Sequence, residues 1–382
     1  GLYLKHGRIP EGVAILERLR PAHPDDLDTL GLLAEGYEAG GDTAAAQRAY
    51  QHILALHPGQ ARAAAALARL TAPPAPDYSQ IAQIVRHMAE TGAGTDACLE
   101  LGCLPMRVHF YSPVPDIKDL ERRRIWERRS PLAGIDFRSA AQLTLLAELG
   151  RQFGHECAWP TAPTRQPHQF HLNNGSFSYG CAASLHTLLR QHRPGRVIEI
   201  GSGNSSLVIS AALQMNGRAG APADYTVIDP YPAPAVAAGL PGLTRLLPQP
   251  VETTDVELFD ALEADDVLFI DSGHTVKTGG DVNFLILDIL PRLKPGVLIH
   301  FHDISLPYEY SKTYATNPSF RVFWTEAYLL QAFLACNHQF EILLALGYLM
   351  TEHLAEFRAA FPHFDPARSP ANSGSFWIRR TA

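Results

Sequence analysis

The stretch VIEIGSGNSS, residues 197–206, decides the fold of this chain. An apolar run that contains one acid ends here at a turn of small residues. The segment that follows, residues 205–217, has the apolar spacing of a helix. A strand, a glycine-containing turn and a helix in this order predict the start of an alternating α/β domain. The turn would then lie at the carboxyl end of its strand, where open parallel sheets bind their ligands.

The same alternation continues beyond this stretch. The segments predicted to be strands are RVIEI (196–200), DYTVID (224–229), DVLFID (266–271) and GVLIHFHDI (296–304). The segments predicted to be helices are CAASLHTLLRQH (181–192), SSLVISAALQMNG (205–217), VELFDALEADD (256–266) and DVNFLILDILPRL (281–293). Strands that are apolar almost throughout predict a parallel sheet covered by helices on both faces. GSFWIRR, residues 374–380, is predicted to be one more strand.

The composition indicates a globular protein with more than one domain. The chain has 382 residues, of which 46% are apolar and 19% are charged, and this length favours two or three domains. The net charge of -7 argues against a nucleic-acid partner, because such proteins usually carry a basic face. The sequence contains no run of about 18 apolar residues, so no membrane span is predicted. The scattered and odd set of five cysteines favours reduced thiols and a cytoplasmic location.

The first part of the chain contains a repeat. Gly7, Leu19, His23 and Pro24 are followed 34 residues later by Gly41, Ile53, His57 and Pro58. This period is that of the tetratricopeptide repeat, a helix-turn-helix unit, and residues 1–58 resemble about two such repeats. So few repeats cannot bury a long core. We therefore expect this segment to dock on the rest of the chain, to bind a protein partner or to form a homo-oligomer.

Four regions are expected along the chain. Residues 1–70 form the tetratricopeptide-like helices, with ARAAAALARL (61–70) as a capping helix, and residues 71–78 form a proline-rich linker. Residues 79–165 form a mixed region on the substrate side, and residues 166–382 form the α/β domain. Within the mixed region, IAQIVRHMAE (81–90) and AAQLTLLAELG (140–150) are predicted to be helices.

The glycine turn restricts the ligand that the sheet can hold. Gly201 and Gly203 permit a tight turn and a close approach of the backbone to a ligand. A dinucleotide-binding turn would carry a third glycine, as in G-x-G-x-x-G, but Ser206 stands at that position. A phosphate-binding P-loop would end in Gly-Lys-Ser/Thr, which this turn lacks. Glu199 is awkward for a pyrophosphate and suits a ligand that presents an amine or a positive charge.

VIEIGSGNSS resembles motif I of the class I S-adenosylmethionine (SAM)-dependent methyltransferases. The resemblance implies a Rossmann-like sheet with GSFWIRR as its antiparallel last strand. It also implies an acid that supports the amino-acid end of the cofactor, and an acid at the tip of the second strand that accepts hydrogen bonds from the ribose. The implied cofactor-binding residues are Glu199, Gly201, Ser202, Gly203, Asn204, Ser205, Asp229 and Asp271. Asn204 is a departure, because many relatives have a third glycine there.

Over roughly residues 165–380, the chain is similar to the small-molecule and macrolide-type O-methyltransferases. The segments IDSGH (270–274) and IHFHD (299–303) each follow an apolar strand and should emerge on the cofactor side of the sheet. If the strand that contains IHFHD extends to residue 303, its alternation sends His300 and His302 to the face opposite Asp303. The resemblance implies that His274 is the general base and that Asp271 also takes part in catalysis.

The resemblance also implies that a divalent metal can assist the reaction, because several relatives hold a cation at these strand ends. Asp271 and Asp303 match metal-ligand positions, and His302 stands where some relatives carry an acid. An imidazole ligand is ill suited to magnesium. For a metal on Asp271, His302 and Asp303, zinc, iron, manganese or nickel would suit the imidazole better than magnesium, and the identity of the metal stays open.

The segments HFYSPVPD (109–116) and PHQFHLNNGSF (167–177) precede the sheet and are expected to wall the acceptor pocket. Tyr111 and Asn174 are the expected substrate contacts, since aromatic and amide groups suit a polyhydroxylated small molecule. The sequence therefore favours a SAM-dependent O-methyltransferase acting on a sugar-containing or natural-product acceptor. The alternatives are an NAD-dependent oxidoreductase and a repeat-bearing scaffold protein with an inactive cofactor domain. Binding of a nicotinamide cofactor, or of no cofactor, would distinguish them.

Overall fold

The computed structural model describes residues 9–22, 24–71, 77–369 and 373–382. The chain divides into two compact units, residues 1–107 and 108–382. The boundaries expected from the sequence, at 70, 78 and 165, remain predictions. No helix within the described ranges is long and apolar enough to cross a membrane.

The described part of the first unit consists of helices. They are α1 (Ile9–Leu19), α2 (Leu27–Ala39), α3 (Thr43–Leu56), α4 (Ala61–Thr71), α5 (Ser79–Thr91) and α6 (Thr95–Glu100), with a 3-10 turn at Arg20–Ala22. Two aspartates start helices, because Asp26 accepts a hydrogen bond from Thr29 N (2.8 Å) and Asp42 accepts one from Ala45 N (2.9 Å). One apolar cluster holds α2, α3 and α4 together, formed by Leu30, Ala34, Ala46, Tyr50, Ile53, Ala63 and Ala66.

The tetratricopeptide repeat stays a prediction. Helices form where the sequence placed them, at α4 and α5, but Gly7 and His23 lie outside the described residues. The matched positions Leu19 and Ile53 differ in environment, with 49% and 2% of their surface exposed. This pair therefore gives the repeat no support.

The second unit is built on a seven-stranded sheet in the order β3-β2-β1-β4-β5-β7-β6. Its strands are β1 (Arg196–Ile200), β2 (Asp224–Ile228), β3 (Leu243–Leu247), β4 (Val267–Ile270), β5 (Leu298–Phe301), β6 (Phe340–Ala345) and β7 (Phe376–Arg380). Strands β1 to β5 are parallel, and β7 runs opposite to both of its neighbours, β5 and β6. Every residue of β4 and β5 is buried, as a sheet covered on both faces requires. The predicted Rossmann-like α/β sheet with an antiparallel last strand is confirmed.

The register of the sheet brings four strand ends to one level. Ile200 of β1 is paired with Ile228 of β2 and with Ile270 of β4, and Ile270 is paired with Phe301 of β5. The residues that follow these strand ends therefore emerge side by side at the carboxyl edge of the sheet. This edge is where the functional residues predicted from the sequence are found.

Helices surround the sheet along the chain. They are α7 (Ile117–Arg122), α8 (Ser139–Phe153), α9 (Tyr179–His192), α10 (Asn204–Arg218), α11 (Pro234–Ala237), α12 (Glu257–Asp260), α13 (Asp281–Asn283), α14 (Lys312–Thr316), α15 (Glu326–Leu334), α16 (Leu346–Glu352) and α17 (Leu354–Ala360). Helix α13 is followed directly by a π-helical turn, Phe284–Ile289, and then by a 3-10 turn, Leu290–Arg292. Further 3-10 turns are Ile125–Glu127, Gly154–Glu156 and Val251–Thr253.

The helix predicted over residues 256–266 is wrong in extent, because only Glu257–Asp260 is helical. The carboxylate of Asp266 accepts hydrogen bonds from Glu263 N (2.9 Å) and Arg196 N (2.7 Å), so it holds the segment as a turn against β1. Two strands were not predicted at all, β3 and β6. Both are edge strands of the sheet, paired on one side only. Strand β3 lacks an apolar pattern, because it carries Thr244 and Arg245, whereas β6 is buried at every residue except Glu341.

Candidate active site

The glycine turn after β1 is locked to the two neighbouring strands. Gly201 N donates to Ile228 O of β2 (3.0 Å), and Asp271 N, just after β4, donates to Ile200 O (2.9 Å). Gly201 has φ of +77°, and a Cβ at this position would collide with the carbonyl oxygen of Asp271. Glycine is therefore required here by both the backbone conformation and the available space.

Glu199 lies beneath this turn and is fully buried. Its carboxylate accepts hydrogen bonds from Ser205 Oγ (2.6 Å) and Ser206 Oγ (2.8 Å), both in the first turn of α10, and from the Tyr225 hydroxyl. Burial raises the pKa of Glu199 to about 7, although these hydroxyl groups act in the opposite direction. The direct cofactor contacts predicted for Glu199 and Ser205 stay predictions, and the contacts seen here tie β1 to the start of α10.

The outer side of the turn borders open space. A Cβ added to Gly203 would meet no atom within 4 Å. Ser202 Oγ donates to Asp229 Oδ2 (2.6 Å), and Tyr231 N donates to Asp229 Oδ1 (2.8 Å). Each carboxylate oxygen retains a further lone pair, so Asp229 can still accept hydrogen bonds from two hydroxyl groups. The turn, its open side and Asp229 fit a nucleoside cofactor such as SAM.

Four charged side chains meet at the ends of β4 and β5. His274 Nε2 lies 3.2 Å from Asp271 Oδ1 and 3.9 Å from Asp303 Oδ2. His302 Nδ1 lies 3.5 Å from each of the same two carboxylate oxygens. The structure thus brings together all four residues that the sequence predicted for catalysis or metal binding.

The end of β5 explains how His302 and Asp303 reach the same cluster. The strand ends at Phe301, and Asp303 has φ of +54°, so the expected alternation does not extend to residue 303. His300 remains inside the strand, where it is fully buried and stacked on Phe269 at 4.1 Å. The condition for opposite faces of His302 and Asp303 is not met, because the backbone turns immediately after the strand.

His274 is held between two carboxylates. Its Nδ1 lies 2.8 Å from Glu326 Oε2, opposite the contact of Nε2 with Asp271. Burial alone would lower the pKa of His274, but the hydrogen bonds and charges of Asp271 and Glu326 raise it to about 10. Burial would raise the pKa of Asp271, yet His302 and His274 hold it well below its ordinary value. In this state His274 carries a proton on both ring nitrogens at neutral pH.

The prediction of a divalent metal on Asp271, His302 and Asp303 is unsupported. Within the described ranges, no group of three or more His, Cys, Asp or Glu side chains is arranged to hold a metal ion. Burial would lower the pKa of His302, but Asp271 and Cys181 raise it well above its ordinary value. His302 Nδ1 faces the two carboxylates and Nε2 faces the thiol of Cys181.

A cavity of about 420 Å³ opens beside this cluster. His302 and Asp303 form part of its wall, together with Cys181 at the start of α9. Cys181 Sγ lies 3.4 Å from His302 Nε2 and 2.9 Å from Ser373 Oγ. Most of the remaining wall carries hydroxyl, amide or aromatic groups, namely Asn174, Ser176, Phe177, Ser178, Ser305, Tyr308, Ser311, Tyr314 and Thr351.

The two residues predicted to contact substrate lie in different places. Asn174 is in the cavity wall, but its amide donates to His171 O (2.7 Å) and Phe177 O (3.0 Å), and it accepts from Phe177 N (2.7 Å). It therefore orders the loop that forms the wall. Tyr111 is 86% exposed and packs on Phe110 (4.3 Å), outside the cavity lining.

The loop before α9 also reaches the cofactor side. Asn204, the departure from the usual glycine, donates from Nδ2 to Ser176 Oγ (2.9 Å). Ser176 lies in the cavity wall, so Asn204 links the glycine turn to the wall of the cavity. A glycine at position 204 would lack this link.

Two residues of the site were missed by the sequence analysis. Glu326 belongs to Thr325-Glu326 before an apolar run, a pattern that predicts a helix start with an exposed acid. Instead, Glu326 is 1% exposed. Cys181 falls within a predicted helix and has no sequence signal that distinguishes it from a packed thiol.

Comparison with known proteins gives one family model that matches the part of the chain containing this site. Residues 198–304 match the family described as a methyltransferase domain, a range that contains the glycine turn and both charged segments. A protein of Archaeoglobus fulgidus, described as uncharacterized, is 32% identical over 163 residues, which are 41% of this chain and 72% of that protein. A solved structure titled CmcI-N160 apo-structure is similar with a TM-score of 0.30 and 17% identity, over 53% of this chain and 71% of the other.

Proposed function

We propose that this chain, which carries a methyltransferase domain and belongs to the same family as the archaeal relative, methylates a hydroxyl oxygen of a sugar-containing or natural-product small molecule. The observation that carries the proposal is that β1, β2, β4 and β5 end at the same level of the sheet. It puts a turn that fits SAM beside an acid-histidine cluster and a polar cavity. A cofactor side, a proton-transfer group and an acceptor side are thereby adjacent.

The residues at the turn are suited to hold SAM. The space beside Gly203 admits the ligand, and Asp229 would accept hydrogen bonds from its ribose. The first backbone amides of a helix have no partner within the helix, so those of α10 can donate to a ligand at the turn. Glu199 holds the start of α10 through Ser205 and Ser206. Bound there, SAM supplies a methyl carbon to which the acceptor oxygen bonds as the carbon-sulfur bond breaks, leaving S-adenosylhomocysteine.

The acceptor would occupy the cavity beside His302 and Asp303. Its wall of hydroxyl and aromatic groups suits a polyhydroxylated molecule, and the shape of the cavity would orient one hydroxyl toward the cofactor. We assign the proton of that hydroxyl to His274 Nε2. Because Nε2 is protonated beside Asp271 in the ligand-free state, this proton must leave before His274 can act as the base. Methyl transfer should therefore be faster at alkaline pH.

The proposal is tested with the full chain in two steps. Calorimetry with S-adenosylhomocysteine is expected to show a single site with micromolar affinity, and NAD is expected not to bind. The purified protein is then mixed with SAM and a panel consisting of a methyl glycoside, a catechol and a hydroxylated macrolactone, and release of S-adenosylhomocysteine is measured. Binding of NAD in place of S-adenosylhomocysteine would support the hypothesis of an oxidoreductase. Binding of neither would support the hypothesis of a scaffold protein.

A further inference from the structure

Glu326 is a buried acid at the start of α15, and the proposed function assigns it no role. It is 1% exposed, and its Oε2 lies 2.8 Å from His274 Nδ1. Its other oxygen, Oε1, is buried and has no hydrogen-bond partner among the described residues. A buried carboxylate with one oxygen unpaired is costly, and this suggests a role beyond packing.

The backbone around Glu326 holds the same histidine. Thr325 N and Glu326 N both donate to the carbonyl oxygen of His274, at 2.9 and 3.1 Å. Val276 N donates to Thr325 Oγ1 (2.7 Å), and the ring of Trp324 lies 4.5 Å from the His274 ring. Residues 324–326, which we call the α15 clamp, therefore contact both the backbone and the ring of His274.

His274 needs such support because its own backbone is in an uncommon conformation. Its φ is +55°, a region that few residues other than glycine occupy. The hydrogen bond at one nitrogen of a histidine decides how the ring is oriented and which nitrogen remains for chemistry. With Nδ1 bonded to Glu326, Nε2 is directed to Asp271 (3.2 Å) and toward Asp303 (3.9 Å).

We propose that Glu326 is a positioning residue for methyl transfer, which accepts the hydrogen bond of His274 Nδ1 and so directs Nε2 toward the acceptor side of the site. The inference rests on the proposed function. Glu326 itself does not line the cavity and acts only through His274. The α15 clamp supplies the backbone part of the same support.

The test compares three variants of the full chain. Glu326→Gln keeps the shape and a neutral acceptor, and Glu326→Leu removes the acceptor. Thr325→Val is the matched control, since it weakens the clamp at Val276 N and leaves the carboxylate in place. In proton-nitrogen spectra of histidine-labelled protein, the His274 Nδ1 proton is expected to be strongly deshielded in the wild type and in Thr325→Val. It should be less deshielded in Glu326→Gln and lost by exchange in Glu326→Leu.

Kinetics use the panel acceptor that releases S-adenosylhomocysteine fastest. We expect kcat to fall about 10- to 100-fold in Glu326→Leu, less than for loss of a general base itself, and by less in Glu326→Gln. The KM for SAM should stay within about twofold in all three variants, because the glycine turn is unchanged. An unaltered His274 signal in Glu326→Leu, or an equal fall of kcat in Thr325→Val, would overturn the proposal.

Failure of the proposed function gives a different result. If the wild type binds no S-adenosylhomocysteine and transfers no methyl group, the methyltransferase proposal fails, whatever the histidine spectra show. If the wild type is active and Glu326→Leu retains full kcat, only the role of Glu326 is lost.

Discussion

The two sides of the candidate active site are built in different ways. On the cofactor side, the turn at Gly201 is fixed by short-range contacts with β2 and β4, and its buried acid has hydroxyl partners on both oxygens. On the acceptor side, charged groups face each other, Glu326 Oε1 has no hydrogen-bond partner in the described part of the chain, and His274 and Asp303 have positive φ. The first side is a closely hydrogen-bonded turn, while the second combines buried, oppositely charged groups with backbone strain at two residues.

This difference indicates where each kind of mutation should act. Changes on the cofactor side should alter binding or stability, because the turn depends on close packing. Changes on the acceptor side should alter turnover more than binding, because charges at the strand ends matter most when a proton moves. The predictions below test this division.

The largest effect is expected from Gly201→Val. A side chain there would collide with the carbonyl oxygen of Asp271 and would also require φ near +77°. Binding of S-adenosylhomocysteine should be abolished in calorimetry. Gly217→Ala is the control, since its Cβ would meet nothing within 4 Å, and it should bind normally. An unchanged dissociation constant in a folded Gly201→Val protein would remove the cofactor assignment of the turn.

His274→Ala should separate turnover from binding. Loss of a general base reduces turnover by about 10²- to 10⁴-fold. The affinity for S-adenosylhomocysteine should stay within about twofold, because His274 does not contribute to the glycine turn. Both quantities are measured on the same preparation. A loss of affinity as large as the loss of turnover would place His274 on the cofactor side and contradict the division.

Glu199→Gln should change how stability depends on pH. The pKa of Glu199 is about 7 in the folded chain, against an ordinary value of 4.5, so the folded state favours the neutral acid. The stability this provides is complete below about pH 4.5 and is lost as pH rises through about 7, a change of about 3 kcal/mol. Thermal unfolding should therefore show wild type losing stability relative to Glu199→Gln across this range. A constant difference between the two proteins would contradict the raised pKa.

The pH profile of turnover should reflect His274. Its pKa is raised to about 10 by Asp271 and Glu326 against the effect of burial, and only the neutral ring can accept a proton. Initial rates should therefore rise about tenfold for each pH unit between about 7 and 9, in proportion to the neutral fraction. The rise should be absent in His274→Ala. A wild-type rate that is flat over this range would show that another group takes the proton.

The smallest effect is expected from metal removal. The described residues contain no group of three or more His, Cys, Asp or Glu side chains arranged to hold a metal ion. Treatment with a chelator should change turnover by less than about twofold. Recovery of a lost rate by added manganese, iron(II) or zinc, but not by buffer, would restore the metal hypothesis. His302→Gln would then be expected to weaken that recovery.

The acceptor side also explains which site residues escaped prediction. Asp271, His274, His302 and Asp303 follow strands, so the sequence could place them at one edge of the sheet. Glu326 comes from a helix that follows β5, and nothing local shows that its side chain turns inward to His274. The substrate contact predicted for Tyr111 stays a prediction, and its side chain is 86% exposed in a loop.

The sequence by itself determined the parallel strands β1, β2, β4 and β5, their order of alternation with helices, and the glycine turn. These follow from apolar periodicity and from the conformational freedom of glycine, which are local properties. Only the tertiary structure decided that Glu199 is buried under the turn, that the edge strands β3 and β6 complete the sheet, and that His274 lies between Asp271 and Glu326. Those features depend on contacts between residues far apart in the chain. The burial and the protonation of Glu199 and His274 follow from the groups that surround them after folding.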